Sequence, residues 1–246
     1  MFQTWFASGL GTRILAVSVV LLAGVSWGQI EKGAKAPTIR WSEGQPGCTF
    51  SGDDDGKYRY GLWTDDFGIV VAVDALELQK SRRRLEALFT LHLTIRYRGK
   101  DSIAVEPEGA TLEFVDHSHT IQSAVDPQSL SGRLQDKADA FIAQTERTLS
   151  EHPERAAATQ SELNHYQRTI ADTREFLRSQ ALRSSKLDAS HTDASGWIVF
   201  SAGGKWIGEW KKQERFELRV PLGARIVEFP FALPPSRGDL LLRRRP

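Results

Sequence analysis

Two hydrophobic rhythms run along this chain, one embedded in the other. From Tyr58 to about Val115, and again after Ser184, apolar residues recur every second position; between Asp126 and Arg183 they recur every third or fourth. The first spacing lines one face of a strand and the second one stripe of a helix. Phe89, Leu91, Leu93 and Ile95 alternate with Thr90, His92, Thr94 and Arg96, which predicts a strand buried on one face and wet on the other. Tyr58–Trp63 and Ile69–Val73 are β-branched and aromatic runs separated by the turn chemistry of Thr64-Asp65-Asp66. Ile103–Val105 and Thr111–Val115 read as shorter strands. Trp197–Phe200 follows the helical stretch, then Phe216, Leu218 and Val220 between Glu217 and Arg219, then Val227, Phe229 and Phe231. Pro221, Pro230, Pro234 and Pro235 mark strand ends or edges, where a missing N–H does least harm.

The second rhythm begins at Asp126-Pro127, with Asp as N-cap and Pro at the first helical position. Leu130, Leu134, Ala138, Phe141 or Ile142, Thr145 and Leu149 follow on one stripe. His152-Pro153 ends this helix and starts another, because proline is tolerated in a first turn but not in an interior. Ala156, Gln160, Leu163, Tyr166, Ile170, Thr173 and Leu177 form a near-heptad seam in the second, a coiled-coil-like pattern. At 1.5 Å per residue the helices are roughly 35 and 45 Å long, and a two-residue break between them predicts an antiparallel hairpin. Two readings follow. Either the hairpin projects as an arm that meets a partner through the free parts of its seam (Leu134, Ile142, Leu163, Ile170, Leu177), or it folds back and buries Phe141, Phe176 and Leu182.

Strands of this spacing with Gly, Pro and Asp turns indicate an antiparallel sandwich. The predicted fold is mainly β: an antiparallel β-sandwich made of 58–126 and 187–235, interrupted by a long antiparallel α-helical hairpin at 127–186. Neither half has enough strands to close a core alone, so the two must pair across the insertion. Residues 29–57 read as a linker with a lead-in strand, and 236–246 as a basic tail. Phe89-Thr-Leu-His-Leu-Thr-Ile-Arg-Tyr97, Gly196-Trp-Ile-Val-Phe200 and Arg215-Phe-Glu-Leu-Arg-Val-Pro221 resemble strands of the immunoglobulin-like sandwiches of exported bacterial proteins. The resemblance covers about 120 residues and implies a fold, not an activity. The Cys…Trp…Cys spacing of antibody domains is absent, and the helical insertion is an addition to the basic pattern.

The first 28 residues set the expected destination. Arg13 precedes an uncharged run of about 12 residues, Ile14–Val25, and Ser26-Trp27-Gly28 places small residues before a cut at Gln29. Roughly 20 apolar residues are needed to span a bilayer, so a cleaved secretory signal is expected, with an uncleaved membrane tether as the alternative. The location implied is periplasmic or extracellular. Cys48 is the only cysteine, so the chain has no internal disulfide. Near-neutral charge, +1 over the whole chain, argues against a nucleic-acid partner.

Four places offer chemistry. Asp116-His117-Ser118-His119 on an extended strand would turn both imidazoles to one face, where they could share a metal with Asp116 orienting them; a scattered histidine such as His191 could approach. Asp53-Asp54-Asp55 with Asp65-Asp66 offers oxygen ligands but lacks calcium-loop spacing. Trp206 and Trp210, flanked by Lys205, Lys211 and Lys212, could form an aromatic platform for a sugar or peptide. Arg237-Gly238-Asp239 is an adhesion-type tripeptide too short to carry weight, and no nucleophile or phosphate-loop motif is present. The expected function is therefore a non-enzymatic exported module working through protein–protein or envelope contacts, with the hairpin as contact element, self-association through it as an option, and no cofactor. The alternatives are a metal-dependent hydrolase at His117 and His119, and a sugar- or peptide-binding module at Trp206 and Trp210.

Overall fold

In the computed structural model, the described residues are 36–52, 56–80, 86–202 and 212–235. The signal segment, Asp53–Asp55, Arg82–Arg84, Lys205, Trp206, Trp210, Lys211, the Arg-Gly-Asp tripeptide and the basic tail lie outside them.

Among the described residues the chain is mainly β, in two sheets. One carries β2 (Cys48–Gly52), β3 (Lys57–Trp63), β4 (Phe67–Asp74), β5 (Leu88–Tyr97) and β10 (Asp193–Ser201), in the order β10-β5-β4-β3-β2. The other runs β1 (Thr38–Arg40), β12 (Arg225–Leu233), β11 (Glu214–Leu222), β6 (Ile103–Val105) and β9 (Ser185–Leu187). On it β7 (Thr111–Phe114) also pairs with β11, and β8 (Thr120–Ser123) pairs with β7. A short helix α1 (Ala75–Gln79) follows β4, capped by Asp74, whose carboxylate accepts from the Glu77 amide. Two long helices, α2 (Pro127–Glu151) and α3 (Ala156–Gln180), separate β8 from β9.

The period-2 strands put their apolar faces against each other. Phe89, Leu91, Leu93 and Ile95 of β5 are fully buried and meet residues of the second sheet in one core. Phe89 lies 5.8 Å from Phe114 of β7 and 5.1 Å from Phe216 of β11 between ring centres, and Tyr60 lies 5.8 Å from Phe231. Each such side chain removed from water stabilises the fold by about 1.5–3 kcal/mol. Pairing crosses the helical stretch as the sequence requires: β10 pairs with β5 along its length, from Asp193 opposite Arg96 to Ser201 opposite Leu88, and β11 pairs with β7. The Thr64–Asp66 turn is closed by Thr64 Oγ1, which donates to Asp66 and accepts from the Phe67 amide. Pro230 sits mid-strand without breaking a ladder. β1 accompanies β12 only as far as Glu228, so the Pro230 nitrogen lies at an open edge.

Several expectations are corrected. Residues 29–57, read as a linker with a lead-in strand, carry two strands in their described part, β1 and β2, and Trp41 is buried with its indole N–H donating to the Thr49 carbonyl. The pairing is not wholly antiparallel, because β1 runs parallel to β12. Strands at opposite ends of the chain need no tight hairpin, so sterics permit either direction. β7 stops at Phe114, and the chain turns over 115–119 before β8. The outer face of β5 is not wet throughout: Thr90 is fully buried and His92 half-buried.

The helix pair accounts for much of that covering. α2 starts as predicted, with the Asp126 carboxylate accepting from the Gln128 and Ser129 amides. The chain breaks at His152 and continues through a 3₁₀ turn, Pro153–Arg155, into α3. Leu130, Leu134 and Ala138 of α2 and Ile170, Phe176 and Leu177 of α3 pack on Leu88 and Val199, with Trp197 beside them. Phe176 and Trp197 lie 5.6 Å apart between ring centres. Phe141, expected to be buried if the helices fold back, instead meets Tyr166 of the neighbouring helix at 4.5 Å. Farther along, Thr145 and Leu163 are buried, and Leu163 does not belong to the hydrophobic cluster on the sheet.

Candidate functional site

The attachment of the helix pair is built from backbone as well as side chains. β10 is the outermost strand of its sheet, and its free edge would expose unpaired carbonyls. Just before α2 the Val125 amide donates to the Val199 carbonyl, and just after α3 the Leu182 amide donates to the Trp197 carbonyl. Bridges Ala124–Phe200 and Ala181–Trp197 accompany them. Both roots of the insertion thus close part of one strand edge. The close approach needs a residue without a side chain on β10: a Cβ on Gly196 would stand 2.5 Å from the Leu182 nitrogen. Leu182 and Leu187 then carry the chain back into the core.

Polar contacts fix the two helices against each other near these roots. Arg174 of α3 donates through Nε to Ser131 Oγ of α2 at 3.2 Å and through a second nitrogen to Gln135. Lys137 donates to Glu86, ahead of β5, at 2.6 Å. Of the seam positions read as contact residues, Leu134, Leu163, Ile170 and Leu177 are buried in the chain itself and Ile142 is half-buried. The seam is therefore internal. What the pair presents to solvent is its polar circumference, most continuously over 150–154 and 156–158.

The segment Asp116–His119 is a turn, not a strand. Ser118 and His119 have φ of 55° and 53°, in the left-handed region, so the expected i, i+2 alignment of His117 and His119 does not arise. Each side chain goes its own way. His117 Nε2 lies 2.9 Å from Glu214 Oε2, and His119 Nδ1 lies 2.5 Å from Glu113 Oε1. Asp116 accepts from the Arg215 amide at 2.7 Å and from its guanidinium at 3.0 and 2.6 Å. The His119 contact, with Arg219 on the other oxygen, holds Glu113 below the usual carboxylate range against the pull of burial, and Arg215 does the same for Asp116. Among the described residues no group of three or more His, Cys, Asp or Glu side chains is arranged to hold a metal ion. His191 contacts Ser190 and Asp188 of its own turn. His92 meets the Trp197 ring edge-on at 5.2 Å, and burial, with Lys57 nearby, pushes its pKa down.

Comparison with solved structures finds a likeness to a protein from Bacillus subtilis (ycdA) described as a candidate lipoprotein, at 13% identity and a TM-score of 0.30. It covers 76% of this chain, which spans 38% of that protein's length. No protein-family model and no curated protein matches the chain. Among the described residues no helix is long and apolar enough to cross a membrane.

An ionic row crosses the outer face of the second sheet. Arg40 of β1 bridges Glu228 at 2.7 Å and Glu217 at 3.0 Å. Arg219 then contacts Glu228, Glu217 and Glu113 at 3.2, 2.6 and 2.9 Å. The signal was present in the alternation of Glu217 and Arg219 with Phe216, Leu218 and Val220, which sends both charges outward. Their partners come from strands far apart in sequence, and no local pattern encodes that.

Proposed function

We propose that this chain is an exported, non-enzymatic protein that works by contact with another protein or an envelope component. Its facing sheets serve as an immunoglobulin-like scaffold, and its helices act as an antiparallel hairpin that presents the contact surface. The observation carrying this reading is the division of the hairpin into two parts. The root is seated on β5 and β10 by Leu134, Ile170, Phe176 and Leu177, whereas Leu163 in the distal part is buried apart from that cluster. A long element whose outer part adds nothing to the sheet core costs conformational entropy that the core does not offset, which fits an interaction role. The two imidazoles expected to form a metal site are each held by a different carboxylate, so the hydrolase reading gains no support from their geometry.

The test is a variant in which 142–165 is replaced by a short Gly/Ser loop, leaving the root intact. It should remain folded with the β-rich circular dichroism of the parent and lose capture of the envelope component that the parent retains. Undiminished capture by the trimmed protein would move the contact surface elsewhere; loss of folding would make the distal helices structural.

A further inference from the structure

Between the roots of the two helices lies a groove of about 740 Å³, within the range of sites for small organic ligands. Its walls are the start of α2 (Pro127, Ser131), the last turns of α3 (Arg174, Leu177, Arg178) and the returning segment (Leu182, Arg183), with Glu108, Asp126 and Glu175 also in the lining. Leu177 and Leu182 are buried and give it an apolar floor.

The charges of the lining are unequally engaged. Asp126 caps α2 through two backbone amides. Glu175 is held by both Nε and Nη2 of Arg178, at 2.9 and 2.8 Å, and Glu108 accepts from Ser184 Oγ at 2.9 Å. Arg174, by contrast, is half-buried and donates only to the neutral oxygens of Ser131 and Gln135. Arg183 donates to the Arg178 carbonyl at 2.9 Å. Neither Arg174 nor Arg183 has a carboxylate within salt-bridge distance among the described residues. A guanidinium fixed in place by neutral acceptors, partly withdrawn from water and lacking a counter-charge, is a ready partner for an oxyanion. The Nη2 of Arg174 donates to no acceptor among the described residues and is left for a carboxylate.

We propose that this groove binds a small organic monoanion: a carboxylate head paired with Arg174 and steered by Arg183, and a short apolar body on Leu177 and Leu182. The site is independent of the contact reading above, because it lies at the root and not in the distal helices.

Octanoate is the probe, with octanol as the matched neutral control and calorimetric titration as the readout. Free-acid and amidated versions of a short leucine-ended peptide distinguish a lipid-derived from a peptide-derived carboxylate. Octanoate or the free-acid peptide should bind saturably and octanol and the amide should not. Arg174→Gln should weaken binding by about tenfold or more, as expected for loss of one charge-assisted pair. Arg183→Gln, at an exposed position outside the packed core, should weaken it less and make it less sensitive to salt. The proposal is overturned if neither carboxylate binds at millimolar concentration, or if octanol binds as well as octanoate. It is also overturned if folded Arg174→Gln binds as the parent does, or, should that variant not fold, if Arg183→Gln leaves both affinity and salt dependence unchanged. All of these measurements use purified protein without a partner, so their failure and that of the contact reading are separable.

Discussion

At the residue scale, the covered outer face of β5 makes the sharpest predictions. Thr90 is fully buried, and its hydroxyl has no hydrogen-bond partner among the described residues. A buried hydroxyl left unmatched carries its desolvation penalty without return, so the near-isosteric Thr90→Val should raise stability by about 1 kcal/mol in chemical denaturation. His92 gives a pH signature. Burial lowers its folded pKa below the unfolded value of about 6.5, so on acidification the unfolded chain takes up the proton first. This contribution is fully present above pH 6.5 and is lost as the pH falls from there toward the lowered folded value. The parent should lose melting temperature between pH 7 and 5, and His92→Gln should lose less over the same interval. Glu113 and Asp116 act in the same direction but at more acid pH. Their pKa values are lowered from the ordinary carboxylate range, so their stabilisation is present above it and lost only at more acid pH. The histidine window is therefore separable. The alternation around residue 92 made the strand legible in the sequence, but not which outward residues a second element would cover, because that depends on where the helices lie.

At the element scale, the start of the first long helix and the break between the two were legible. The second, Ala156–Gln180, is shorter than the roughly 45 Å expected and is followed by a strand, Ser185–Leu187, that begins inside the stretch read as helical. Asp126-Pro127 and His152-Pro153 mark starts and stops through local chemistry alone, a cap and a missing donor. Of the short strands, Ile103–Val105 and Thr111–Phe114 were legible and two others were not. Thr120–Ser123 and Ser185–Leu187 span four and three residues, too few for a period to show, and each pairs with a strand equally short, Thr111–Phe114 and Ile103–Val105. The Asp116–His119 turn was misread for a related reason: left-handed backbone at Ser118 and His119 is a non-glycine exception that no local rule anticipates. The seam carries its own test. Leu134 is fully buried in the root cluster and Ile142 lies half-buried farther out. Leu134→Ala should cost about 2–4 kcal/mol and Ile142→Ala about 1 kcal/mol or less in denaturant unfolding.

At the scale of the whole molecule, one core is assembled from strands on both sides of the helical excursion, Pro127–Gln180, and the excursion's two roots close part of the edge of β10. The requirement that the halves pair was readable from strand count. That partial closure was not, because it runs through the backbone of Val125 and Leu182 and leaves no mark in side-chain pattern. Native-state amide hydrogen exchange on the intact protein measures the separation of root from tip most directly. Amides of β4, β5 and β10 and of the root segments 130–138 and 170–177 should exchange only through global unfolding. Those of 142–165 should exchange orders of magnitude faster, through local opening. Protection of 142–165 equal to that of β5 would contradict the account, since the distal helices would then belong to the same cooperative unit as the sheets.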